Sequence, residues 1–277
     1  MDTPAMQAML AFFHRCPRLF ILTGAGCSTA SGIPDYRGED GGWKRPPPVT
    51  YQAFMGDEDV RKRYWARSMI GWRVMGQAAP GPAHHALSAL ESLGRVEMLL
   101  TQNVDGLHGA AGQKRVIDLH GRIDTVRCMA CDERMPRADL QDWLVGRNPG
   151  WASLDAAAAP DGDADLEGHA FSAFQVPVCP SCGGGPLKPD VVFFGESVPR
   201  ARVAAAQEAL GVSDGMLVAG SSLMVYSGFR FVQAAVDAGL PVVAINRGVT
   251  RADPLLHAKL QDDVGIALSA IVQALSA

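Results

Sequence analysis

Two closely spaced pairs of cysteines constrain the fold of this 277-residue chain more than any other feature. The pairs are Cys128-x-x-Cys131 and Cys179-x-x-Cys182. Thiolates at this spacing can converge from two turns on one tetrahedral Zn²⁺, and four sulfur ligands leave no open position for a catalytic water. We therefore predict a structural zinc site, with free structural cysteines or a redox pair as the alternatives. A zinc ion of this kind can hold together a small module that has little core of its own.

The segments outside the cysteine region alternate between predicted strands and helices. Short apolar runs that each end in small or polar residues predict strands at residues 19–23, 96–100, 216–219 and 242–245. Helical patterns lie between them, notably at residues 82–93 and 228–238. This alternation predicts an α/β fold with a doubly wound, Rossmann-like parallel sheet, whose ligand crevice lies at the carboxyl ends of the strands.

Two segments interrupt the alternation and suggest a division of the chain. We expect residues 1–38, 81–121 and 190–277 to form the nucleotide-binding domain. Residues 39–80 would form a loop followed by a helical insertion, with a charged and aromatic helix candidate at 57–74. Residues 122–189 would form the smaller zinc-binding module, in which the acidic stretch 155–165 is expected to be a solvated loop.

Charge and hydropathy exclude several classes of partner. The net charge is −4 and the pI is about 6.0, so we expect no direct binding to nucleic acid and no attraction to an anionic membrane. A zinc ribbon that binds nucleic acid is the less favoured alternative. The chain has no apolar run of membrane-spanning length and no recognisable targeting segment, and cysteine pairs suit a reducing compartment. We expect a cytoplasmic protein of unknown oligomeric state.

A glycine-rich turn follows the first predicted strand, and it includes Gly24, Gly26 and Ser28. Bare glycines at this place allow the backbone N–H groups to approach a diphosphate. Thr29 occupies the third glycine position of the dinucleotide fingerprint, which disfavours a common hydride-transfer dehydrogenase. An ordinary tight turn is the alternative. Just downstream, Asp35 and Arg37 form either part of the binding site or a surface ion pair in a loop.

Polar residues also follow the second predicted strand. Gln102, Asn103 and Asp105 suit ribose hydroxyls and a carboxamide, because polar groups at a buried strand end need partners. Capping of the loop by Asn103 and Asp105 is the alternative. Further on, His120 is a candidate general base, since an imidazole suits proton abstraction near neutral pH. A structural histidine with satisfied hydrogen bonds is the alternative there.

Several ordered motifs together resemble the sirtuins, the NAD-dependent protein lysine deacylases. The motifs are Gly24-Ala-Gly-Cys-Ser-Thr-Ala-Ser-Gly-Ile-Pro-Asp-Tyr-Arg37, Thr101-Gln-Asn-Val-Asp105, Leu119-His-Gly121, the cysteine pairs, Lys188-Pro-Asp-Val-Val-Phe-Phe-Gly-Glu196, Gly220-Ser-Ser-Leu223 and Asn246. The resemblance covers nearly the whole chain. The runs Tyr64-Trp-Ala-Arg67 and Gln175-Val-Pro-Val-Cys-Pro-Ser-Cys182 resemble the class II branch, which contains mitochondrial-type deacylases and ADP-ribosyltransferases.

The resemblance implies NAD and zinc as cofactors and assigns the site residues. Catalysis would fall to His120 and Asn103. NAD would be bound by Gly24, Ala25, Gly26, Ser28, Thr29, Asp35, Tyr36, Arg37, Gln102, Asn103, Asp105, Gly220, Ser221, Ser222, Asn246, Arg247 and Val264. Zinc would be held by Cys128, Cys131, Cys179 and Cys182, and the acylated-lysine protein substrate by Tyr64, Arg67, Val192, Phe193, Gly195 and Glu196.

The reaction that the resemblance implies is deacylation of lysine. The acyl oxygen attacks the nicotinamide ribose, nicotinamide leaves, and His120 as general base activates a ribose hydroxyl toward the resulting imidate. Water then releases free lysine and O-acyl-ADP-ribose. The peptide would add as a strand between residues 195–197 and 223–225. The alternatives are mono-ADP-ribosylation of a protein and a non-catalytic NAD-binding adaptor.

Three other parts of the sequence need separate comment. Tyr64 and Arg67 suit the carboxylate of an acidic acyl group, or they belong to the basic face of an amphipathic helix. The Val-Val-Phe-Phe run around Val192 and Phe193 lines the lysine tunnel or is an ordinary core strand. Cys27 places a thiol beside the cofactor turn and suggests sensitivity to oxidation.

Overall fold

A computed structural model of the chain describes residues 3–44, 48–154, 164, 166 and 168–277. The helices are α1 (Pro4–Arg15), α2 (Tyr51–Gly56), α3 (Glu58–Met75), α4 (Pro82–Ser92), α5 (Leu107–Ala110), α6 (Arg137–Arg147), α7 (Pro149–Ala152), α8 (Arg200–Gly211), α9 (Tyr226–Asp237) and α10 (Val264–Ser276). The strands are β1 (Leu19–Thr23), β2 (Val96–Thr101), β3 (Val116–Asp118), β4 (Gly121–Cys128), β5 (Arg134–Pro136), β6 (Leu187–Val191), β7 (Gly215–Ala219), β8 (Val242–Ile245) and β9 (Ala258–Leu260).

The larger sheet is six-stranded and parallel, in the order β3-β2-β1-β7-β8-β9. Successive residues of β1 point to opposite faces, and each face has its own core. Leu19 and Ile21 pack in one core with residues of α1, α4 and α10, whereas Phe20 and Leu22 pack in the other with residues of α8 and α9. Helices on both faces of a parallel sheet confirm the predicted doubly wound α/β fold.

The strand order reverses between β1 and β7. The chain runs outward from β1 through β2 to β3 on one side, and from β7 through β8 to β9 on the other. In an open α/β sheet, the connections on the two sides of such a point run in opposite directions, and a crevice forms between them at the carboxyl ends of the strands. The glycine-rich turn after β1 and the segment Gly220–Ser222 after β7 therefore meet at this crevice.

The smaller body combines a three-stranded antiparallel sheet with the helical insertion. Its strand order is β5-β4-β6, and Val126 and Leu187 from this sheet share a core with Phe54, Trp65 and other residues of α2, α3 and α6. The helix predicted at 57–74 is α3, which begins after Asp57 because that side chain accepts a hydrogen bond from the Asp59 N–H at 2.8 Å. The acidic stretch 155–165 lies, except for Ala164, outside the described residues.

None of the described helices is long and apolar enough to cross a membrane.

Candidate active site

A cavity of about 650 Å³ lies at the carboxyl edge of the larger sheet, beside the smaller body. Segments that follow all six strands of the sheet reach it. The lining includes Gly24, Ala25, Gly26, Thr29, Asp35, Tyr36, Arg37, Tyr64, Gln102, Asn103, Asp105, His120, Val192, Phe193, Gly195, Glu196, Gly220, Ser221, Ser222, Asn246, Arg247 and Val264. The structure therefore brings most of the predicted site residues around one space, whereas Ser28 and Arg67 do not line it.

The glycines of the first turn are required by a close approach of two backbones. A Cβ atom at Gly24 would lie 2.8 Å from the Cβ of Ser221, and one at Gly26 would lie 2.8 Å from the Cα of Gly220. The Gly26 N–H donates to the Gly220 carbonyl at 2.8 Å, which joins the turns after β1 and β7. Thr29 is accommodated at the third fingerprint position because the turn continues as short 3₁₀ segments and not as a long helix.

Cys27 is buried beneath this turn, and the expectation of sensitivity to oxidation is wrong. The residue is 1% exposed, and its thiol donates to the Ala219 carbonyl at 3.4 Å and packs in the core of that face of the sheet. Burial raises the pKa of Cys27 to about 12. Thiol oxidation requires both access and thiolate character, and Cys27 has neither.

Ser28 connects the first turn to the polar residues after β2. Its hydroxyl donates to Asp105 Oδ2 at 2.6 Å and accepts from Asn103 Nδ2 at 3.0 Å. Asn103 Nδ2 also donates to the Gly24 carbonyl at 3.1 Å, and Asp105 Oδ1 accepts from the Leu107 N–H at 2.9 Å. Asp105 therefore does cap the loop, as the alternative held. Only one of its carboxylate oxygens is used for this, and the residue also lines the cavity.

Two buried histidines, His84 and His108, lie in the core next to this network. His108 Nε2 lies 2.9 Å from Thr23 Oγ1, and the rings of His84 and His108 meet edge to face at 4.8 Å. Burial and the neighbouring His84 lower the pKa of His108 to about 3, so that both rings of the pair stay uncharged in the core. Sequence reasoning missed this pair because its members are separated along the chain and carry no motif.

His120 lies in the cavity wall with both ring nitrogens hydrogen-bonded. Nδ1 is 2.9 Å from the Gln102 carbonyl and Nε2 is 2.8 Å from the Ser227 hydroxyl. A carbonyl can only accept, so the proton of the neutral ring is on Nδ1 and Nε2 carries the lone pair. Burial, together with Arg230 and Arg202, lowers the pKa of His120. The ring is thus neutral near pH 7, as a general base must be.

The loop downstream of the glycine turn folds over one end of the cavity. Asp35 pairs with Lys44, so the alternative of an ion pair with Arg37 is wrong. Arg37 donates to the Gly41 carbonyl at 2.9 Å, and its guanidinium lies 4.0 Å from the ring centre of Trp43. These contacts give the loop a defined conformation around the lining residues Asp35, Tyr36 and Arg37.

The end of the cavity near β8 is shaped by backbone contacts. Asn246 Nδ2 donates to the Gly248 carbonyl at 2.9 Å, and Arg247 lies 3.2 Å from Asp263. A Cβ at Gly248 would lie 2.5 Å from the Glu39 Cα, and the Val249 N–H donates to the Glu39 carbonyl at 2.8 Å. The loop that carries Asp35 therefore docks against the β8 turn.

The wall facing the smaller body is formed by the segment after β6. The strand ends at Val191, so Val192 and Phe193 are not part of an ordinary core strand, and both line the cavity. Glu196 Oε2 accepts from the Phe193 N–H at 2.9 Å and from the buried Lys188 ammonium at 3.1 Å. This pair fixes the turn that contains Gly195, since breaking it would leave a buried charge without a partner.

Tyr64 and Arg67 occupy different positions relative to the cavity. Tyr64 lines it and packs against Phe54 and Phe193, with ring centres 5.2 and 5.3 Å apart. Arg67 is one turn further along α3, where its Nε donates to the Ala164 carbonyl at 2.8 Å. A role for these two residues in reading an acyl carboxylate stays a prediction.

The predicted zinc ligands converge. All four sulfur atoms lie within 4.8 Å of one another, and the Cys128–Cys182 and Cys131–Cys179 distances are both 3.7 Å. A tetrahedron with zinc–sulfur bonds of about 2.3 Å places its sulfur atoms about 3.8 Å apart. The four cysteines therefore fit one structural zinc ion, at the end of the smaller sheet that is remote from the cavity wall.

Comparisons with known proteins agree with this site. The profile of the Sir2 family matches residues 24–227. An NAD-dependent protein deacetylase of Xanthomonas campestris pv. campestris (strain 8004) is 62% identical over 270 residues, covering 98% of this chain and 91% of that protein. A protein of the same name from Bordetella bronchiseptica (strain ATCC BAA-588 / NCTC 13252 / RB50) is 61% identical over 267 residues, covering 96% and 97%.

Solved structures extend the comparison to the whole fold. A structure described as "Structural Basis for the Mechanism and Regulation of Sir2 Enzymes" matches with a TM-score of 0.78 and 30% identity, covering 98% of both chains. One described as "Sir2-p53 peptide-NAD+" matches with a TM-score of 0.75 and 29% identity, again covering 98% of both. The family profile spans well over half of the described chain and includes both the glycine-rich turn and the zinc cysteines. This chain belongs to the Sir2 family.

Proposed function

We propose that this chain is an NAD-dependent protein lysine deacetylase that releases nicotinamide, free lysine and O-acyl-ADP-ribose. The observation that carries the proposal is the neutral His120, whose Nε2 lies in the wall of the cavity that Gly24, Asn103 and Asp105 also line. The relatives named NAD-dependent protein deacetylase support this reaction, as does the match to a structure described with peptide and NAD.

The chain's own residues fit NAD, because the glycines where the turns after β1 and β7 meet bring bare backbone to the cavity wall, with no side chain to obstruct a diphosphate. NAD, when bound, supplies an ADP-ribosyl group that accepts the acyl oxygen of lysine as nicotinamide leaves. Gln102, Asn103 and Asp105 would hold the nicotinamide ribose and carboxamide, and Gly220, Ser221, Ser222, Asn246, Arg247 and Val264 the adenosine end. Ser28 would act through its hydrogen bonds to Asn103 and Asp105 as well as near the diphosphate.

His120 would remove the proton from a ribose hydroxyl. Nε2 takes that proton, and the resulting imidazolium keeps its Nδ1–H bonded to the Gln102 carbonyl. Proton transfer to a positioned base of this kind typically contributes 10² to 10⁴ in rate, an order-of-magnitude range. Zinc would hold the smaller sheet in place and take no part in the chemistry.

The test is incubation with NAD and an acetyl-lysine peptide, followed by mass spectrometry. The proposal predicts nicotinamide, O-acetyl-ADP-ribose and free lysine in equal amounts, and loss of lysine release in His120→Ala. ADP-ribose attached to protein in place of O-acetyl-ADP-ribose would favour the mono-ADP-ribosyltransferase alternative. NAD binding without turnover, unchanged in His120→Ala, would favour the non-catalytic adaptor.

We also propose the class II branch and a preference for longer or acidic acyl groups. Tyr64 in the cavity wall supports this, together with the aromatic surroundings formed by Phe54 and Phe193. A match at 28% identity and a TM-score of 0.75 to "Structure of Sir2Tm bound to a propionylated peptide" supports only the acceptance of an acyl group longer than acetyl.

A panel of acetyl, succinyl, glutaryl and long-chain acyl-lysine peptides tests the preference, with Tyr64→Phe and Arg67→Met beside the wild type. Loss confined to the carboxylated acyl groups is the expected result. Equal effects across the panel would contradict a carboxylate-reading role for the pair.

The protein substrate, the cellular location and the partners follow from the same proposal. Acylated-lysine proteins would be the substrates, held by Val192, Phe193, Gly195 and Glu196, in a cytoplasmic setting without direct nucleic-acid binding. If the protein were retained on DNA and this retention fell steeply as salt rises, the proposed absence of direct nucleic-acid binding would be contradicted.

A further inference from the structure

The hydroxyl of Ser227 contacts the nitrogen of His120 that is left to act as a base. Ser227 Oγ lies 2.8 Å from His120 Nε2, and both residues line the cavity, although they are 107 positions apart in the chain. The other ring nitrogen, Nδ1, is occupied by the Gln102 carbonyl at 2.9 Å. The imidazole is therefore held from two sides, once by backbone and once by Ser227.

The direction of each hydrogen bond follows from the chemistry of the partners. The Gln102 carbonyl has no proton to give, so Nδ1–H donates to it and the neutral ring presents a lone pair at Nε2. The Ser227 hydroxyl then donates to Nε2 while no substrate is bound. Because Nε2 has a single lone pair, the hydroxyl turns its proton away before Nε2 takes the ribose proton. A serine hydroxyl also has lone pairs and rotates freely about its Cβ–Oγ bond, so after Nε2 is protonated it can accept from Nε2–H. One hydroxyl thus suits both protonation states of the ring.

The backbone of Ser227 is fixed by the start of α9. The Ser227 carbonyl accepts from Arg230 Nε at 3.1 Å, and Val225 immediately precedes the helix as its N-cap. The next residue, Gly228, lies so close to Gln102 that a Cβ there would overlap the Gln102 side-chain amide. The first turn of α9, Gln102 and His120 therefore form one packed unit, in which Ser227 has a defined position relative to the ring.

We propose that Ser227 is a positioning residue for the reaction proposed above, because its hydroxyl keeps the His120 ring oriented with Nε2 at the cavity in both protonation states. The inference rests on the proposed function. Without the hydroxyl, the ring keeps only its Nδ1 contact and can turn about it. Removal of the ribose proton then slows, whereas the earlier departure of nicotinamide, which needs no base, continues.

These two stages can be measured separately. Exchange of labelled nicotinamide into NAD reports the first stage in the presence of acetyl-lysine peptide, and release of free lysine reports the complete reaction. For Ser227→Ala we expect lysine release to fall about five- to tenfold, as loss of one orienting hydrogen bond implies, with exchange changed by no more than about twofold. Ser227→Thr, which keeps the hydroxyl, should recover most of the lysine release.

Ser213→Ala is the matched control, because it removes a buried serine hydroxyl that donates to the Ala209 carbonyl at 2.8 Å, outside the cavity lining. We expect it to alter stability without altering the ratio of exchange to release. The proposal is overturned if Ser227→Ala leaves both rates unchanged, if it lowers both equally, or if Ser227→Thr is as impaired as Ser227→Ala.

A readout independent of turnover separates this inference from the proposed function. Nitrogen-15 NMR of the His120 ring in the protein without substrate should show a protonated Nδ1 and a hydrogen-bonded Nε2 in the wild type. In Ser227→Ala the Nε2 signal should shift toward that of a nitrogen without a donor, with Nδ1 still protonated. An unchanged Nε2 signal overturns the proposal. A wild type that releases no lysine would refute the proposed function and leave the NMR result to decide the contact.

Discussion

At the scale of single residues, the environment of His120 determines both its protonation and the pH dependence of the reaction. Burial lowers the pKa of His120 below its ordinary value of 6.5, and the positive charges of Arg230 and Arg202 act in the same direction. A general base works only when unprotonated. Since a lowered pKa extends the unprotonated form to more acidic pH, the base is available at all pH values above the ordinary value of a histidine.

We therefore expect the rate of lysine release to fall toward acidic pH with a midpoint below 6.5, the ordinary value for a histidine. His120→Ala should lose about 10²-fold or more of the rate and the associated pH dependence. His85→Ala, which changes an exposed histidine of α4, is the control. The measurement is a pH profile of lysine release at saturating substrate. An acid limb with its midpoint above 6.5 would show that burial does not lower the pKa of the working base.

Cys27 provides a second prediction at this scale. Its pKa, raised from 9.0 to about 12 by burial, lowers the thiolate fraction roughly 10³-fold, so alkylation by iodoacetamide should be slowed at least as much. Mass spectrometry of the zinc-loaded protein should find Cys27 unmodified until denaturant is added. Cys27→Val, which keeps an apolar side chain of similar size, should retain NAD binding. Rapid labelling in the folded state would mean that the turn opens readily.

At the scale of elements, the sequence predicted the strands that lie in the centre of the sheet. The runs at 19–23 and 242–245 match β1 and β8, and the others differ from β2 and β7 by one residue. Strands β1, β7 and β8 are buried at every residue and appear in the sequence as short apolar runs. The outer strands β3 and β9 were missed because they are three residues long and only partly buried, so no periodicity can identify them.

The same distinction applies to the site, where positions set by neighbouring residues could be predicted and contacts between distant segments could not. Residues that follow a strand, such as Asn103, could be placed at the crevice from sequence because the strand end fixes their position. Contacts between segments far apart could not. The pairing of His120 with Ser227 and that of Lys188 with Glu196 depend on the register of packed elements, which no local pattern encodes.

Zinc removal should act on the cavity through the smaller sheet. Cys128 ends β4, which pairs with β6, and β6 leads directly into Val192 and Phe193 of the cavity wall. Loss of the metal would leave thiolates that repel one another and would loosen this pairing.

We expect a strong chelator to remove one zinc per chain, to abolish lysine release and to lower the midpoint of thermal unfolding. Re-addition of Zn²⁺, but not Mg²⁺, should restore activity, since thiolates bind zinc and not magnesium. Metal analysis, activity and circular dichroism measure these three effects. Full activity in a protein shown to be free of zinc would contradict the coupling between the cysteine cluster and the cavity wall.

At the scale of the whole molecule, the binding cavity is built from segments that lie far apart along the chain. The turns after β1 and β7 meet through Gly26 and Gly220, the loop carrying Asp35 docks on the β8 turn through Glu39 and Val249, and the segment after β6 belongs to the smaller body. A dinucleotide that contacts all of these parts binds only the folded chain. It must therefore stabilise the molecule as a unit.

This linkage leads to a prediction about unfolding. A ligand that binds the native state alone stabilises it by about 2.7 kcal/mol at a hundredfold excess over its dissociation constant. Applied here, NAD should raise the midpoint of thermal unfolding of the zinc-loaded protein by several degrees, and the shift should grow with the logarithm of NAD concentration. Asn246→Ala, which removes the amide bonded to the Gly248 carbonyl, should reduce the shift by loosening the adenosine end. Differential scanning calorimetry measures both, with Ser213→Ala as the control that lies outside the cavity. If NAD left the unfolding midpoint of the wild type unchanged at concentrations that support turnover, binding would not join the separate walls of the cavity in the way that their positions imply.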